Sequence, residues 1–154
     1  MNIQEAREKD IEEVKDMWLE LAQLMEPYSK LNELNEDAEE EALEGIQKLF
    51  ADDRYTIFIG KKNTQTTGFM AIKKDKQDAR KIKNYIKISD LFIKENYRNQ
   101  GYGAEFLEKA EEQAETHNCT HLKVSSEWKN NRARKFYKQN GYEEKQVEYS
   151  KTIQ

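Results

Sequence analysis

Between residues 81 and 116 the chain changes periodicity within a few positions, and that change constrains the fold more than any other feature. The run "KIKNYIKISDLFIKE" is rich in β-branched and aromatic residues and largely alternates, the pattern of a strand. It passes into "NYRNQGYG", which holds two of the chain's six glycines, and then into "AEFLEKAEEQAET". In that last run Phe106, Leu107, Ala110 and Ala114 recur at helical spacing. Glycine is unfavourable inside a helix and useful where main-chain N–H groups must approach something bulky. Strand, Arg98-x-x-Gly101-x-Gly103, then helix supplies unpaired N–H donors, the positive end of a helix dipole and a guanidinium, the parts of a pyrophosphate cradle. The other reading is a plain strand-to-helix turn whose glycines serve only geometry. The spacing does not fit the dinucleotide fingerprint G-x-G-x-x-G, and no Gly-Lys-Ser/Thr of a Walker loop is present.

Upstream, residues 2 to 6 fit a short edge strand, and Asp10 with Glu13 three positions on has the form of a capping box. Ile11, Val14, Trp18, Leu21 and Met25 then recur at helical spacing as far as the lone proline, Pro27. "EPYSKLNELNED" reads as a loop, and the spacing predicts a second helix over 36–51 with Leu43, Ile46, Leu49 and Phe50 on one face. "RYTIFIGKK" and "TTGFMAIKK" are β-rich runs separated by "NTQT", which predicts a hairpin; the lysine-rich "KKDKQDARK" leads from it to the long strand. Downstream, "HLKVSSEW" predicts a strand, and "NNRARKFYKQNG" a short helix ending with Gly141 at C′. "GYEEKQVEYSKTI" predicts a terminal strand or hairpin. The order βααβββαβαβ, without linker, repeat or low-complexity segment, predicts a single α+β domain over 1–154.

A length of 154 residues suffices to bury a core, and six Phe, eight Tyr and two Trp argue against disorder. Thirty acids against 26 bases leave a net charge of −4, a mixed balance that points to no nucleic-acid partner. No apolar stretch approaches a membrane span, and "MNIQEAREKD" lacks the apolar run of an export signal. With Cys119 alone, no intrachain disulfide can form. The expectation is a cytoplasmic protein that engages no membrane. "HNCTH" brings His117, Cys119 and His121 close together, but no second ligand cluster completes a tetrahedron. No metal is expected, and Cys119 reads as a small buried apolar residue.

The segment from Arg98 to Ala104 resembles the acetyl-CoA-binding motif of the GNAT superfamily of N-acetyltransferases, Arg/Gln-x-x-Gly-x-Gly/Ala after a strand. Asn130-x-x-Ala133-x-x-Phe136-Tyr137-x-x-x-Gly141-Tyr142 is similar to that family's N-x-x-A-x-x-F-Y-x-x-x-G-F, and "IQEAREKDIEEV" resembles its first strand and helix. The resemblance implies an α/β/α sandwich around a mixed, mostly antiparallel sheet. Strands four and five would run parallel and splay apart to admit the arm of acetyl-CoA. Leu91, Phe92 and Ile93 would then offer main-chain groups to the pantetheine. The amides of Arg98, Asn99, Gln100, Gly101, Tyr102, Gly103 and Ala104 would hold the pyrophosphate, and Asn130 would touch the cosubstrate. Tyr137 would sit near the sulfur as general acid. The implied reaction is direct acetyl transfer from acetyl-CoA to a primary amine in a ternary complex. A homodimer is compatible with the same resemblance.

Such a reaction needs a neutral amine and a stabilised oxyanion. Several relatives carry glutamate just before the position of Asp90, where this chain has Ser89. Asp90 is therefore the first candidate for base or amine-positioning residue, with a purely structural role as the alternative, and Glu127 is the second. Tyr28, Ser89 and Asp90 are candidates for binding the acceptor. The acidic run "NEDAEEEALE" is either a solvated helix face suited to the macrodipole or, with Glu26, Asp52 and Asp53, the entrance for a cationic substrate. Glu127-Trp128 is also similar to polyamine acetyltransferases, which favours a small cationic amine. A protein or peptide amine, or a non-catalytic acyl-CoA sensor, are the competing readings. Lys129, Arg132, Arg134, Lys135 and Lys138 crowd the last helix, as solvated surface or facing the cosubstrate's ribose phosphate.

Overall fold

In the computed structural model, which describes residues 1–154, five strands form one sheet in chain order. They are β1 (Asn2–Glu5), β2 (Tyr55–Lys62), β3 (Gln65–Lys76), β4 (Asn84–Ile93) and β5 (Leu122–Val124). Neighbours through β4 are antiparallel, and β5 runs parallel to β4. Helices α1 (Ile11–Met25) and α2 (Ala38–Ala51) pack on one face; α3 (Tyr102–Thr116) and α4 (Asn131–Gln139) pack on the other.

Burial on both faces explains why the strand centres read as unbroken apolar runs. Ile57, Ile59, Phe69 and Ala71 join Val14, Met17 and Ile46 beneath α1 and α2. Their neighbours Phe58, Met70 and Ile72 join Phe106, Leu107 and Ala110 beneath α3. Val14, Phe69, Met70, Ile86 and Phe106 are fully buried, each contributing about 1.5–3 kcal/mol relative to exposure. Across α1 and α2, the buried Lys15 ammonium binds Asp16 and Glu39 at 2.9 Å and Glu12 at 3.3 Å. That network seats the acidic start of α2 against α1.

The fold matches the α/β/α expectation, with local corrections. Asp10 does not cap α1 with its side chain; a 3-10 turn (Glu8–Asp10) precedes the helix, and the carboxylate reaches back to accept the Arg7 N–H at 2.8 Å. The first hairpin turns on Asn63 and Thr64 alone, with Asn63 at φ 58°. Lys73 to Lys76 belong to β3 rather than to a connection. β5 is three residues long, because it stays beside β4 only from Ile86 to Ile88. The terminal strand is absent: residues 142–154 form no strand, and Val147, Tyr149 and Ile153 are exposed. A period-2 pattern needs an edge to pair with, and the free edge of β5 is too short to supply one. No helix is long and apolar enough to cross a membrane.

Candidate active site

The site starts from a β-bulge. Ala71 pairs with Asp90 and Ile72 with Ile88, so Ser89 has no partner, and its hydroxyl donates to the Ala71 carbonyl at 3.2 Å. An extra residue reverses which side chains face which way. Ile86 and Ile88 point toward α3, whereas Phe92, also even-numbered, points toward α1 and α2. The same reversal turns Asp90 toward the α1 side, where it meets the Trp18 indole. Burial pushes the Asp90 carboxyl up to about 6, against the opposing pull of Ser89, Trp18 and Lys87. The bulge therefore makes a carboxylate that is both aimed and basic.

Past Ile88 and Val124 the parallel strands separate, leaving Ser89 to Ile93 with no strand on the β5 side. This is the expected splay, and it frees one main-chain edge along Leu91 and Phe92. The Ile93 carbonyl differs, because it accepts the Arg98 Nε–H at 2.8 Å while the guanidinium lies 5.5 Å from the Phe92 ring centre. Arg98 thus fastens the end of β4 to the loop that follows. Its amide is also engaged, donating to Glu95 at 3.3 Å, so the expected cradle narrows by one residue.

From Asn99 to Ala104, no main-chain N–H has an acceptor within the protein; Glu105, bonded to the Gly101 carbonyl at 3.2 Å, is the first amide satisfied by the helix. The loop reaches this geometry through two left-handed residues, Asn99 at φ 60° and Gly101 at φ 83°. Consecutive free amides at a helix start suit a diphosphate. The two glycines have different reasons. A Cβ at Gly101 would meet nothing within 4 Å, so the positive φ is what requires glycine; a Cβ at Gly103 would lie 2.9 Å from Phe136 Cζ. Gly103 therefore lets the first turn of α3 close on α4.

That contact leads to Tyr137. Asn130 caps α4, its Oδ1 accepting the Ala133 N–H at 3.1 Å, which leaves its amide nitrogen free. At the other end Gly141 (φ 89°) donates to Lys138 and Tyr142 to Tyr137, a Schellman ending. The Tyr137 ring is held edge-on between Phe136 (5.2 Å) and Tyr142 (5.7 Å). Burial raises its phenol well above the ordinary value, reinforced by Tyr142 and by the charge of Asp90. The residue therefore stays protonated at neutral pH and senses the carboxylate. Tyr142, where the family pattern has phenylalanine, buries a hydroxyl that has no partner.

Other candidates are distributed differently. Glu127 accepts the Asn32 side-chain N–H at 2.6 Å, so its carboxylate joins the segment after β5 to the loop between α1 and α2. Glu26 accepts the Leu34 amide at 3.1 Å, and Asp52 is bound by Arg54 at 2.7 Å, committing both to local structure rather than an entrance. Tyr28 sits half-buried in a 3-10 turn (Glu26–Tyr28) and does not line the cleft of about 450 Å³ between α1 and α2, whereas Trp18 does. Sequence reasoning had no means of finding that role for Trp18, since its spacing marks it only as a core position. Cys119 is half-buried against the α3 core, and no group of three or more His, Cys, Asp or Glu side chains could hold a metal.

Residues 16–142 match the model of the acetyltransferase (GNAT) family. The chain belongs to that family. A stretch of 88 residues is 32% identical to the uncharacterized N-acetyltransferase YhfO of Bacillus subtilis (strain 168), spanning 57% of this chain and 58% of that protein. The chain thus spans a little over half the length of that curated relative. Among solved structures, a predicted acetyltransferase with acetyl-CoA from Clostridium acetobutylicum superposes with a TM-score of 0.77 at 19% identity, covering 99% of this chain and 96% of that one. An aminoglycoside antibiotic 6′-N-acetyltransferase, AAC(6′)-IG from Acinetobacter haemolyticus, superposes with a TM-score of 0.76 at 17% identity over 100% of both chains. These likenesses establish the fold.

Proposed function

We propose that this protein transfers an acetyl group from acetyl-CoA to a small cationic primary amine such as a polyamine. The observation that carries the reading is the row of unpaired amides from Asn99 to Ala104 opening onto the freed edge of β4. These are donors for a diphosphate and a track for the arm attached to it. Acetyl-CoA supplies a thioester acyl group, and the chain supplies position and proton transfer. Asp90, ionised above about pH 6, accepts a proton from the incoming ammonium directly or through a water. Tyr137, protonated across the working range, donates to the departing sulfur. Glu127 holds the acceptor loop through Asn32.

A cationic acceptor is supported by Glu33 and Glu41, the two acids in the lining of the α1–α2 cleft, which no basic side chain lines. The test is thiol release from acetyl-CoA across polyamines, other primary amines and lysine-containing peptides. The fastest release is expected with a polyamine. Silence with every amine, despite coenzyme binding, would leave an acyl-CoA sensor as the better reading.

A further inference from the structure

We propose that Lys87 is a positioning residue for the reaction: its ammonium, the middle one in a row of three lysines, shares a sheet face with Asp90 and keeps that carboxyl ionised at the pH of transfer. The proposal rests on the acetyl-transfer reading above and adds the group that poises its base. Strand register places the row. Lys87 of β4 stands opposite Lys73 of β3 and beside Lys123 of β5. Ile86 and Ile88 point toward α3, so Lys87 between them points the other way, as do the two lysines paired with it. Like charges directly opposite each other in a sheet are destabilising. The outer two are relieved: Lys73 lies 3.6 Å from Asp75 and 5.8 Å from the Tyr55 ring centre, and Lys123 lies 4.7 Å from that of Tyr85. The Lys87 ammonium has no hydrogen bond, ion pair or aromatic partner.

The bulge decides what Lys87 meets. With Ser89 unpaired, Ala71 and Lys73, two positions apart on β3, stand opposite Asp90 and Lys87. The carboxylate and the ammonium therefore share a face two rungs apart, roughly 7 Å along the strand. In a regular strand Ser89 would take that rung and Asp90 would face α3. From the other elements, Trp18 of α1 meets the carboxyl and Tyr137 of α4 feels its charge, and both are neutral. The nearby acid Asp75 is engaged with Lys73. Burial is what raises Asp90, and Lys87 is the cation that opposes it. An ammonium beside a buried carboxylate favours the ionised form. The row of lysines thus gives up stability and leaves one cation free to act on the base.

The test follows the Asp90 carboxyl itself by carboxyl-carbon NMR of the whole protein across pH, with its signal identified by loss in Asp90→Asn. Lys87→Met, which keeps the length of the side chain, is expected to raise the Asp90 midpoint by about half to one pH unit. Lys87→Gln, uncharged but polar, is expected to do the same, and Lys87→Arg to keep the parent's midpoint. Lys123→Met removes a charge one strand further away and is expected to move the midpoint by less than about a third as much. An unmoved midpoint in both uncharged variants, or an equal movement in Lys123→Met, would overturn the proposal whatever the protein acetylates. The acid limb of kcat/KM is expected to rise with the midpoint. A midpoint that rises while the limb stays would uphold the hold of Lys87 on Asp90 and contradict Asp90 as the base.

Discussion

The Asn32 side-chain amide donates to Glu127 Oε1 at 2.6 Å and to the Met25 carbonyl at 3.0 Å, joining residues 95 positions apart in sequence. The α1–α2 loop and the segment after β5 are therefore tied to each other through Asn32. Glu127→Gln keeps the accepting oxygen and is expected to hold kcat/KM within about threefold. Glu127→Ala removes the tie, with stability lowered by about 1 kcal/mol, a raised acceptor KM and unchanged coenzyme affinity. A hundredfold loss in Glu127→Gln would transfer the role of base to this residue.

Asp90→Asn is expected to move stability and activity in opposite directions. Its folded value, about 6, lies above the ordinary 3.8. Between those values the folded chain holds more proton than the unfolded one, so this contribution to stability is lost as pH rises through that window. Removing the charge should stabilise the protein at pH 7 by up to about 3 kcal/mol, flatten its stability between about pH 4 and 6, and lower turnover by about 10²-fold or more. The acid limb of the parent's kcat/KM profile should fall near pH 6. Thermal melts and rate profiles across pH check both; equal destabilisation at every pH would mark Asp90 as structural.

Tyr137→Phe preserves the edge contacts with Phe136 and Tyr142 and removes only the proton donor. Turnover should fall by about 10²–10⁴-fold, with coenzyme affinity within about twofold. An unchanged rate would remove Tyr137 from the acid role. Tyr142→Phe, which deletes an unsatisfied buried hydroxyl, should raise stability by about 1 kcal/mol.

The two glycines should separate by readout. Gly101→Ala places a side chain at φ 83° and should destabilise by about 1–2 kcal/mol while weakening coenzyme binding. Gly103→Ala must displace the Phe136 ring and should lower turnover through Tyr137 more than it weakens coenzyme binding. Calorimetric affinities and kcat for the two variants test this, and the opposite pattern would contradict the assigned reasons.

Much of this was legible in the residues. The helices were carried by Val14, Ile46, Phe106 and their periodic neighbours, and the turn of unpaired amides by a strand meeting Gly101. What was not legible depends on partners distant in sequence. The Ser89 bulge appears only when Ala71 and Ile72 are set opposite β4, and without it Asp90 would face α3. The spacing offered no sign that Gly103 must lack a Cβ because the Phe136 ring lies against it. Val147, Tyr149 and Ile153 carry a strand's alternation, yet pattern alone cannot supply the neighbouring edge that a strand requires.

The central claim is that the amides from Asn99 to Ala104 hold the diphosphate of coenzyme A. Calorimetric titration of coenzyme A into the parent and into Gly101→Val tests it most directly. The prediction is one-to-one binding by the parent and at least a tenfold loss in a variant that still melts cooperatively; no heat from the parent, or equal affinity in the two, would contradict it.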